Sequence, residues 1–399
     1  MVDRSVNLRI ATSKITNSGK ERYMFRTIRM LLMVILSIPL GLSVLGNAQT
    51  DRASGAVFVM TNAADKNEII AYKRAEDGSL SEAHSFPTGG RGSGGTTDPL
   101  GSQGSVTLTA DHSWLLAVNA GSGELSVFRV HGSLLELVDK VPCGGSEPVS
   151  VAEHKHLVYV ANAGGNSNVV GFYLDARGKL VEIPGAISFL STSNSGPGSV
   201  AFSPDGQFLL VTEKVTNSID SFPVRRNGRL GPIVVNPSAG PGAFAVSFAP
   251  NGTVLVSETG PMGTMNTGAI SSYAVASNGR LSTISTSVPT LGAATCWQAA
   301  TPDGKFVYTA NSGTSSISGF SIGKSGTLIA LAGTVLVMLP SGSTDLDTAV
   351  TADGKFLYTL DSGTGKVSIL SIDANGKVES LGEVGGFKAS AGFNGIAAI

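Results

Sequence analysis

Cysteine and charge are both scarce in this sequence. Only Cys143 and Cys296 occur among its 399 residues, too few for a disulfide framework, and neither lies in a C-x-x-C pattern suited to zinc or redox chemistry. We interpret them as two isolated thiols; a single long-range bridge is the alternative that an oxidising compartment would permit. Charged residues make up 14% of the chain, against about 25% in an average protein, which leaves little sequence for long surface helices.

The charges that are present nearly cancel, with 28 Lys and Arg against 29 Asp and Glu. No net field therefore steers the chain toward nucleic acid or an anionic membrane. The sequence also lacks a G-x-S-x-G elbow, an H-E-x-x-H pair, a phosphate loop and an EF-hand loop. Of its five histidines only His154 and His156 lie close together, so we expect no metal and no cofactor.

A membrane-spanning run of about 20 apolar residues is missing as well. Residues 30–45 form an apolar stretch of 16 residues that is interrupted by Pro39, the length of a signal-peptide core. Arg26 and Arg29 precede it and a small-x-small pattern ends at Ala48, after which we predict cleavage. Met24 is the expected true start, and the alternative is an uncleaved membrane anchor. With cleavage we expect a periplasmic or secreted protein that is not membrane-bound.

Glycine, by contrast, is abundant, with 51 residues, and much of it recurs in one short turn. Seven copies place a glycine before a small or basic residue and then Leu or Val, and successive glycines lie 54, 46, 50, 51, 47 and 50 residues apart. The seven glycines are Gly78, Gly132, Gly178, Gly228, Gly279, Gly326 and Gly376. Asn-Gly and Asp-Gly suit tight hairpins, and a period near 50 residues is typical of a propeller.

A second turn, of the Ser203-Pro204-Asp205-Gly206 type, occurs in six copies, and each precedes an apolar strand rich in β-branched residues. A seventh such strand, residues 57–61, opens the mature chain without its turn. The last segment, residues 394–399, supplies the missing inner strand of that first blade. We therefore predict an all-β fold: after a leader of residues 1–48, residues 49–399 form one seven-bladed β-propeller with four-stranded antiparallel blades, closed by pairing of its N- and C-terminal strands.

Residues 89–104 are rich in glycine and interrupt this repeat between the first two blades. This segment is either a flexible surface loop or a flap over the central channel.

A polar residue ends each of the seven apolar strands. These residues are Asn62, Asn119, Asn162, Glu213, Glu258, Asn311 and Asp361. We expect them to ring one mouth of the channel and to face a shared water-filled pocket; for Asn and Asp the alternative is a local hydrogen bond that holds a turn. Glu213 and Glu258 lie in neighbouring blades, where repulsion between them could raise one pKa toward that of a general acid or base.

The inner strands add further candidates at equivalent positions. Ser105, Ser199, Ala245, Trp297 and Asp347 correspond to one another in the repeat. Trp297 with Gln298 offers a stacking face and an amide, and Asp345 and Asp347 add acid to the same mouth. The alternative for Trp297 is plain packing.

With the repeats aligned, residues 199–213 and 300–308 resemble the lactonase-type seven-bladed propellers, the family of propeller 6-phosphogluconolactonase and fungal carboxymuconate cyclase. The likeness covers nearly all of residues 55–399. It implies a site with an Arg-His pair, a Glu and a second Arg. In this sequence these positions hold Gly198-Ser199, Glu213 and Ser312, so only the Glu is retained.

We therefore weigh two functions. One is an exported hydrolase of an unphosphorylated lactone, with Glu213 as catalytic general base and Glu258, Ser199, Trp297, Gln298, Asp345, Asp347 and Asn311 as ligand-binding residues. The other is a non-catalytic propeller that binds a small ligand in the channel mouth, or a protein partner. The two missing cations favour the second, because they would stabilise an oxyanion or hold an acidic substrate. Nothing in the sequence indicates an oligomeric state.

Overall fold

The computed structural model describes residues 55–261 and 264–399. The predicted leader and its cleavage point lie outside these residues. The described part of the chain is built from β-strands and contains no helix, and accordingly no helix in it could cross a membrane.

The strands form seven separate sheets, each of four antiparallel strands. Blade 1 consists of β1 (Gly55–Met60), β2 (Glu68–Arg74), β3 (Leu80–Pro87) and β28 (Ile396–Ala398). Blade 2 comprises β4 (Val106–Leu108), β5 (Trp114–Asn119), β6 (Glu124–His131) and β7 (Leu134–Pro142), and blade 3 comprises β8 (Ser146–His154), β9 (Leu157–Gly164), β10 (Asn168–Leu174) and β11 (Leu180–Phe189). Blade 4 comprises β12 (Pro197–Phe202), β13 (Phe208–Glu213), β14 (Ser218–Pro223) and β15 (Val234–Pro237), and blade 5 comprises β16 (Ala243–Phe248), β17 (Val254–Glu258), β18 (Ala269–Val275) and β19 (Leu281–Pro289). Blade 6 comprises β20 (Thr295–Ala300), β21 (Phe306–Asn311), β22 (Ser316–Ile322) and β23 (Leu328–Met338), and blade 7 comprises β24 (Asp345–Val350), β25 (Phe356–Asp361), β26 (Lys366–Ile372) and β27 (Val378–Gly385).

The ring closes as the sequence predicts, through the two ends of the propeller domain. β28 pairs antiparallel with β1, with Val57 opposite Ala398 and Val59 opposite Ile396. Strand β28, which begins at Ile396, is the innermost strand of blade 1, and β1 lies next to it. The seven-bladed propeller with four-stranded antiparallel blades is thereby confirmed.

The recurring glycine turns also join one blade to the next. The hydroxyl of Tyr159 in blade 3 donates to the carbonyl of Gly228 in blade 4 at 2.8 Å. Tyr308 donates likewise to Gly376 at 3.0 Å, from blade 6 to blade 7. Because these glycines have positive φ, 76° at Gly228 and 81° at Gly376, other residues would be strained there. Five of the seven turns thus both close a hairpin and accept a bond from the preceding blade, at Gly78, Gly228, Gly279, Gly326 and Gly376.

The inner strands carry irregularities that aim side chains toward the axis. In blades 3 to 7 the pairing of the first and second strands shifts near the start of the first, for example between Pro197 and Ser199 and between Thr295 and Trp297. A bulge of this kind bends a strand and redirects the residues within it. Phe244, Trp297 and Asp347 lie at or beside these shifts, around the channel.

Candidate functional site

The seven polar residues that end the second strands lie inside the propeller. Each of them is 0% exposed. Asn119 accepts a hydrogen bond from the Thr88 hydroxyl at 2.6 Å, and Asn162 donates to the Cys143 carbonyl at 3.3 Å. Both partners belong to the segment that follows the outer strand of the preceding blade. The expectation that this ring faces a shared water-filled pocket is wrong, because those crossing segments cover it.

Glu213 is held on both carboxylate oxygens. Oε1 accepts from the Ser191 backbone N–H at 2.8 Å, and Oε2 accepts from the hydroxyls of Ser191 and Thr216. Burial opposes the charged form, but these hydrogen bonds outweigh it and the pKa of Glu213 lies below its usual value. The arrangement keeps an ionised carboxylate engaged with its own loops.

Asp220 lies beside Glu213 on the adjacent strand β14 and is 0% exposed. Burial, together with the neighbouring Glu213 carboxylate, raises the pKa of Asp220 to about 8. No N–H or O–H group among the described residues donates to its two carboxyl oxygens. Asp220 is therefore protonated at neutral pH and can donate its proton to Glu213.

Glu258 and Asn311 are similarly enclosed. Glu258 accepts from the Gly240 N–H at 2.9 Å, from Ser271 at 2.6 Å and from Ser287 at 2.8 Å. Asn311 accepts from the Thr295 hydroxyl at 2.6 Å and donates to Ser318 at 2.9 Å. Glu213 and Glu258 therefore do not meet at a common cavity.

The inserted segment fills the channel. Residues 101–104, which we call the axial plug, belong to the connection into blade 2 yet bond to blades on the far side of the ring. Gln103 makes a paired contact with Gln298 of blade 6, Nε2 donating to its carbonyl at 2.8 Å and Oε1 accepting from its N–H at 2.9 Å. The Gln103 N–H donates to the Gly198 carbonyl of blade 4 at 2.9 Å. Residues 89–104 were interpreted as either a flexible surface loop or a flap over the central channel, and the structure agrees with the second interpretation.

Trp297 and Gln298 of blade 6 both hydrogen-bond to this plug, Trp297 through its indole and Gln298 through its backbone. The Trp297 indole N–H donates to the Ser102 carbonyl at 2.8 Å, and the ring is 1% exposed and packs edge-on against Phe244 with centroids 5.0 Å apart. The Gln298 side chain donates to the Ala245 and Leu255 carbonyls. Both side chains are thus buried, which leaves no open stacking face on Trp297.

The remaining predicted residues are also buried. Ser199 donates to the Val246 carbonyl of the next blade at 3.3 Å. Asp347 accepts from the Gly104 N–H of the plug at 3.4 Å, and burial raises its pKa to about 7. Asp345 is 0% exposed, both its carboxyl oxygens lack partners among the described residues, and burial raises its pKa well above the usual range.

One open cavity lies at the rim of this same mouth, next to the plug. A cavity of about 510 Å³ lies above blades 4 to 6. Its lining consists of Lys214, Pro241, Gly242, Phe244, Thr259, Gly260, Pro261, Thr264 and Ala294. Its volume lies within the range of small-molecule pockets, about 300–1,000 Å³. We call it the mouth cavity.

Lys214 is the ionisable group in the described lining of this cavity. Asp98 lies outside that lining but, like Lys214, is hydrogen-bonded to Gly101 of the plug. Lys214 Nζ donates to the Gly101 carbonyl and lies 5.4 Å from the centroid of the Phe244 ring. The Gly101 N–H donates to Asp98 Oδ1 at 2.9 Å, and Asn394 donates to the same oxygen at 2.8 Å. Oδ2 of Asp98 accepts no hydrogen bond from the described residues.

Their environment shifts both groups toward neutrality. Burial lowers the pKa of Lys214, against the influence of the Asp98 carboxylate. Burial raises the pKa of Asp98 to about 6, although the Gly101 N–H and Lys214 favour its charged form. A carboxyl group with a pKa near 6 beside a desolvated ammonium is suited to proton transfer and to binding of an oxyanion.

Neither Lys214 nor Asp98 was predicted from the sequence. Strand β13 ends at Glu213 as predicted, and Lys214 is the residue after that strand end. Asp98 lies in the inserted segment, where no repeat position marks it. Among residues 55–261 and 264–399, no three His, Cys, Asp or Glu side chains are grouped as a metal site, and Cys143 and Cys296 are both free and buried.

The fold and mouth define a plugged seven-bladed propeller with a small-molecule cavity at one end of its channel. The family described as "Lactonase, 7-bladed beta-propeller" matches residues 57–189 and 246–393, and the chain belongs to this family. The interruption, residues 190–245, spans blade 4 and the start of β16. Glu213, Lys214 and Phe244 all lie within it. No match is found among curated protein sequences.

Solved structures share the fold at low identity. One is the periplasmic gluconolactonase PpgL of Pseudomonas aeruginosa, with a TM-score of 0.66, 17% identity, and coverage of 86% of this chain and 99% of that one. Another, from Bacteroides uniformis, is described as a candidate 6-phosphogluconolactonase, with a TM-score of 0.64, 19% identity, and coverage of 86% and 99%. A protein from Lactobacillus plantarum has a TM-score of 0.64 at 16% identity, with coverage of 86% and 99%.

Gly198, one of the positions where the family resemblance implies a cation, is closed to a larger side chain. A Cβ atom at Gly198 would lie 2.3 Å from the Phe244 carbonyl oxygen, and the Gly198 carbonyl is bonded to the plug. Ser312 donates to the Asp345 carbonyl at 2.7 Å. An arginine at residue 198 is incompatible with this backbone, so Lys214 is the cation that the mouth offers instead.

Proposed function

We propose that this protein is a lactonase-like hydrolase that opens an unphosphorylated lactone in the mouth cavity. The observation that carries the proposal is the placement of Lys214 in the wall of that cavity. Lys214 and Asp98 are both hydrogen-bonded to Gly101 of the plug. Family membership supports the reaction class. Glu213 is a weaker candidate for the base, because its two oxygens already accept hydrogen bonds from Ser191 and Thr216.

The proposed reaction uses one water molecule. Asp98 takes a proton from the water while the water oxygen attacks the lactone carbonyl carbon. Lys214 stabilises the negative charge that develops on the carbonyl oxygen. The ring C–O bond then breaks, the ring oxygen receives the proton from Asp98, and a hydroxy acid leaves.

The test is acid release from a panel of lactones, followed with a pH indicator. We expect Lys214→Met to lower kcat/KM by about 10²–10³-fold, the usual loss when one oxyanion donor is removed. Asp98→Asn should lower it by about 10²–10⁴-fold. Lys155→Met and Asp65→Asn, at exposed positions, are the matched controls. Full activity in both Lys214→Met and Asp98→Asn would contradict the proposal.

Glu213→Gln separates the two candidate bases. Because Glu213 holds loops, we expect this variant to keep turnover within about twofold while its free energy of unfolding falls by about 1–3 kcal/mol. Loss of turnover without loss of stability would instead assign the base to Glu213.

A non-catalytic binding propeller is the second candidate function. It is favoured by Gly198 and Ser312, which stand where the family resemblance implies arginines. Under this function no lactone is turned over, yet a ligand of the mouth cavity raises the unfolding temperature. Lys214→Met would remove that protection.

We also propose that the chain is exported and acts in the periplasm or outside the cell. The apolar core at residues 30–45 and the cleavage pattern ending at Ala48 support this. Sequencing the mature N-terminus should find Gln49, and an N-terminus before residue 30 would contradict cleavage.

A further inference from the structure

The walls of the mouth cavity are mainly apolar. Phe244 forms part of the wall, backed by Trp297, and Pro241, Pro261 and Ala294 contribute carbon surface. Among the described residues of the lining, only Lys214, Thr259 and Thr264 bring polar side chains.

The hydroxyl protons of both threonines are already donated, so among the described lining side chains only the two threonine oxygens remain as hydrogen-bond acceptors. The Thr259 hydroxyl donates to the Gly260 carbonyl at 3.0 Å, and the Thr264 hydroxyl donates to Pro261. Lys214 uses one of its three N–H groups on Gly101. A sugar lactone brings several hydroxyl groups, each of which must donate a bond on entering, and every unsatisfied one weakens binding. This lining offers such a ring few acceptors.

Exposed apolar side chains continue the lining outward. Val215 follows Lys214 in the chain and is 73% exposed, Met265 follows Thr264 and is 66% exposed, and Leu291 lies three residues before Ala294 and is 54% exposed. Each of these side chains is close in the chain to a lining residue, so they place further carbon surface near the rim of the cavity.

The same region is where the family match is interrupted. Lys214, Val215, Pro241 and Phe244 all lie within the unmatched residues 190–245. The chemistry that distinguishes this mouth is therefore carried by the part of the chain that departs from the family pattern.

From these observations we infer that the substrate is a lactone with an alkyl body, and not a polyhydroxylated sugar lactone. The inference rests on the proposed function, since it names the substrate class of that site. The lactone carbonyl faces Lys214, and the alkyl chain lies along Phe244 and leaves over Val215.

The experiment compares lactones that share one six-membered ring. δ-Decalactone carries a five-carbon tail, δ-valerolactone carries none, and glucono-δ-lactone carries hydroxyl groups. After correction for spontaneous hydrolysis, we expect kcat/KM for δ-decalactone to exceed that for the other two by about 100-fold. This corresponds to a roughly tenfold gain in kcat/KM for every two methylene groups that are transferred from water into the protein. Equal or faster turnover of glucono-δ-lactone would overturn the inference while leaving the hydrolase proposal intact.

A surface variant tests the path of the tail without endangering the fold. Val215→Asn should reduce kcat/KM for δ-decalactone about tenfold and leave δ-valerolactone unchanged. Leu381→Asn, 50% exposed on β27, is the matched control and should change neither. Equal effects of Val215→Asn on both lactones would contradict the proposed path.

The unfolding temperature of the full protein decides the case in which no lactone is hydrolysed. That result alone contradicts the hydrolase proposal. Protection by δ-decalactone but not by glucono-δ-lactone, lost in Lys214→Met, would still support the alkyl-specific cavity. Protection by neither compound would overturn the inference as well.

Discussion

At the scale of single residues, blade 4 holds two neighbouring carboxyl groups, those of Glu213 and Asp220, but stabilises the charge of only one of them. Glu213 receives hydrogen bonds from Ser191 and Thr216, whereas Asp220 receives none from the described residues. The pair is stable when Asp220 keeps its proton and donates it to Glu213. The protonation state of Asp220 therefore links the stability of the blade to pH.

We predict that Asp220→Asn becomes more stabilising, relative to the parent protein, as pH rises from 5 to 8. The folded-state pKa of Asp220 is about 8, against about 4 in an unfolded chain. The folded protein thus binds a proton that the unfolded chain has released, and parent stability falls as pH rises through this window. An asparagine amide donates to Glu213 without titrating.

Urea unfolding at pH 5 and pH 8 measures this effect. We expect the difference in unfolding free energy between variant and parent to grow by about 1 kcal/mol or more, the equivalent of one pKa unit. Asp65→Asn, at an exposed position, should show no such growth. A gap independent of pH would mean that Asp220 is ionised in the folded protein.

At the scale of elements, the axial plug determines what the channel can be. Its contacts join residues far apart in the sequence, with Gln103 and Gln298 separated by 195 positions. The side chains of Trp297 and Asp347 hydrogen-bond to the plug, which occupies the space that the inner strands would otherwise surround. Their alignment was visible in the repeats, whereas their burial depends on an insertion that follows no repeat.

Removing the Gln103 side chain should loosen this plug. We predict that Gln103→Ala lowers the free energy of unfolding by about 1–3 kcal/mol, because the Gln298 backbone groups lose buried partners. The Gln298 amide should exchange with solvent at least about tenfold faster, as measured by hydrogen exchange.

The matched control is Gln207→Ala, at an exposed turn position, which should alter neither quantity. Unchanged protection of Gln298 in Gln103→Ala would show that the plug is held by its other contacts.

At the scale of the whole propeller domain, the ring depends on a short terminal strand. Blade number, blade composition and closure were all predictable, because each rests on local turn signals repeated about every 50 residues. The strand-end ring was found in the right place but misjudged, since only the crossing segments of neighbouring blades decide whether Asn119 or Glu213 meets water. Lys214 and Asp98 were missed because their proximity arises from the ring as a whole.

Deleting residues 396–399 should open the ring. Ile396 is 4% exposed and pairs with Val59, and Ala397 is 7% exposed, so the deletion removes two buried side chains and a few backbone hydrogen bonds. We predict a loss of roughly 4–6 kcal/mol in unfolding free energy, measured by urea unfolding. Leu381→Ser on the exposed outer strand is the control and should stay within about 0.5 kcal/mol. An unchanged midpoint after deletion would show that the ring does not need its closing strand.

The plug also separates the two faces of the ring for any visiting molecule. Because Gln103 and its backbone neighbours cross the channel axis, a compound that binds near Lys214 has to enter and leave through the same mouth of the channel. The hairpins of the opposite face, such as that at Gly279, lie away from the mouth cavity. Anchoring the protein to a solid support through that side should leave its cavity accessible from solution.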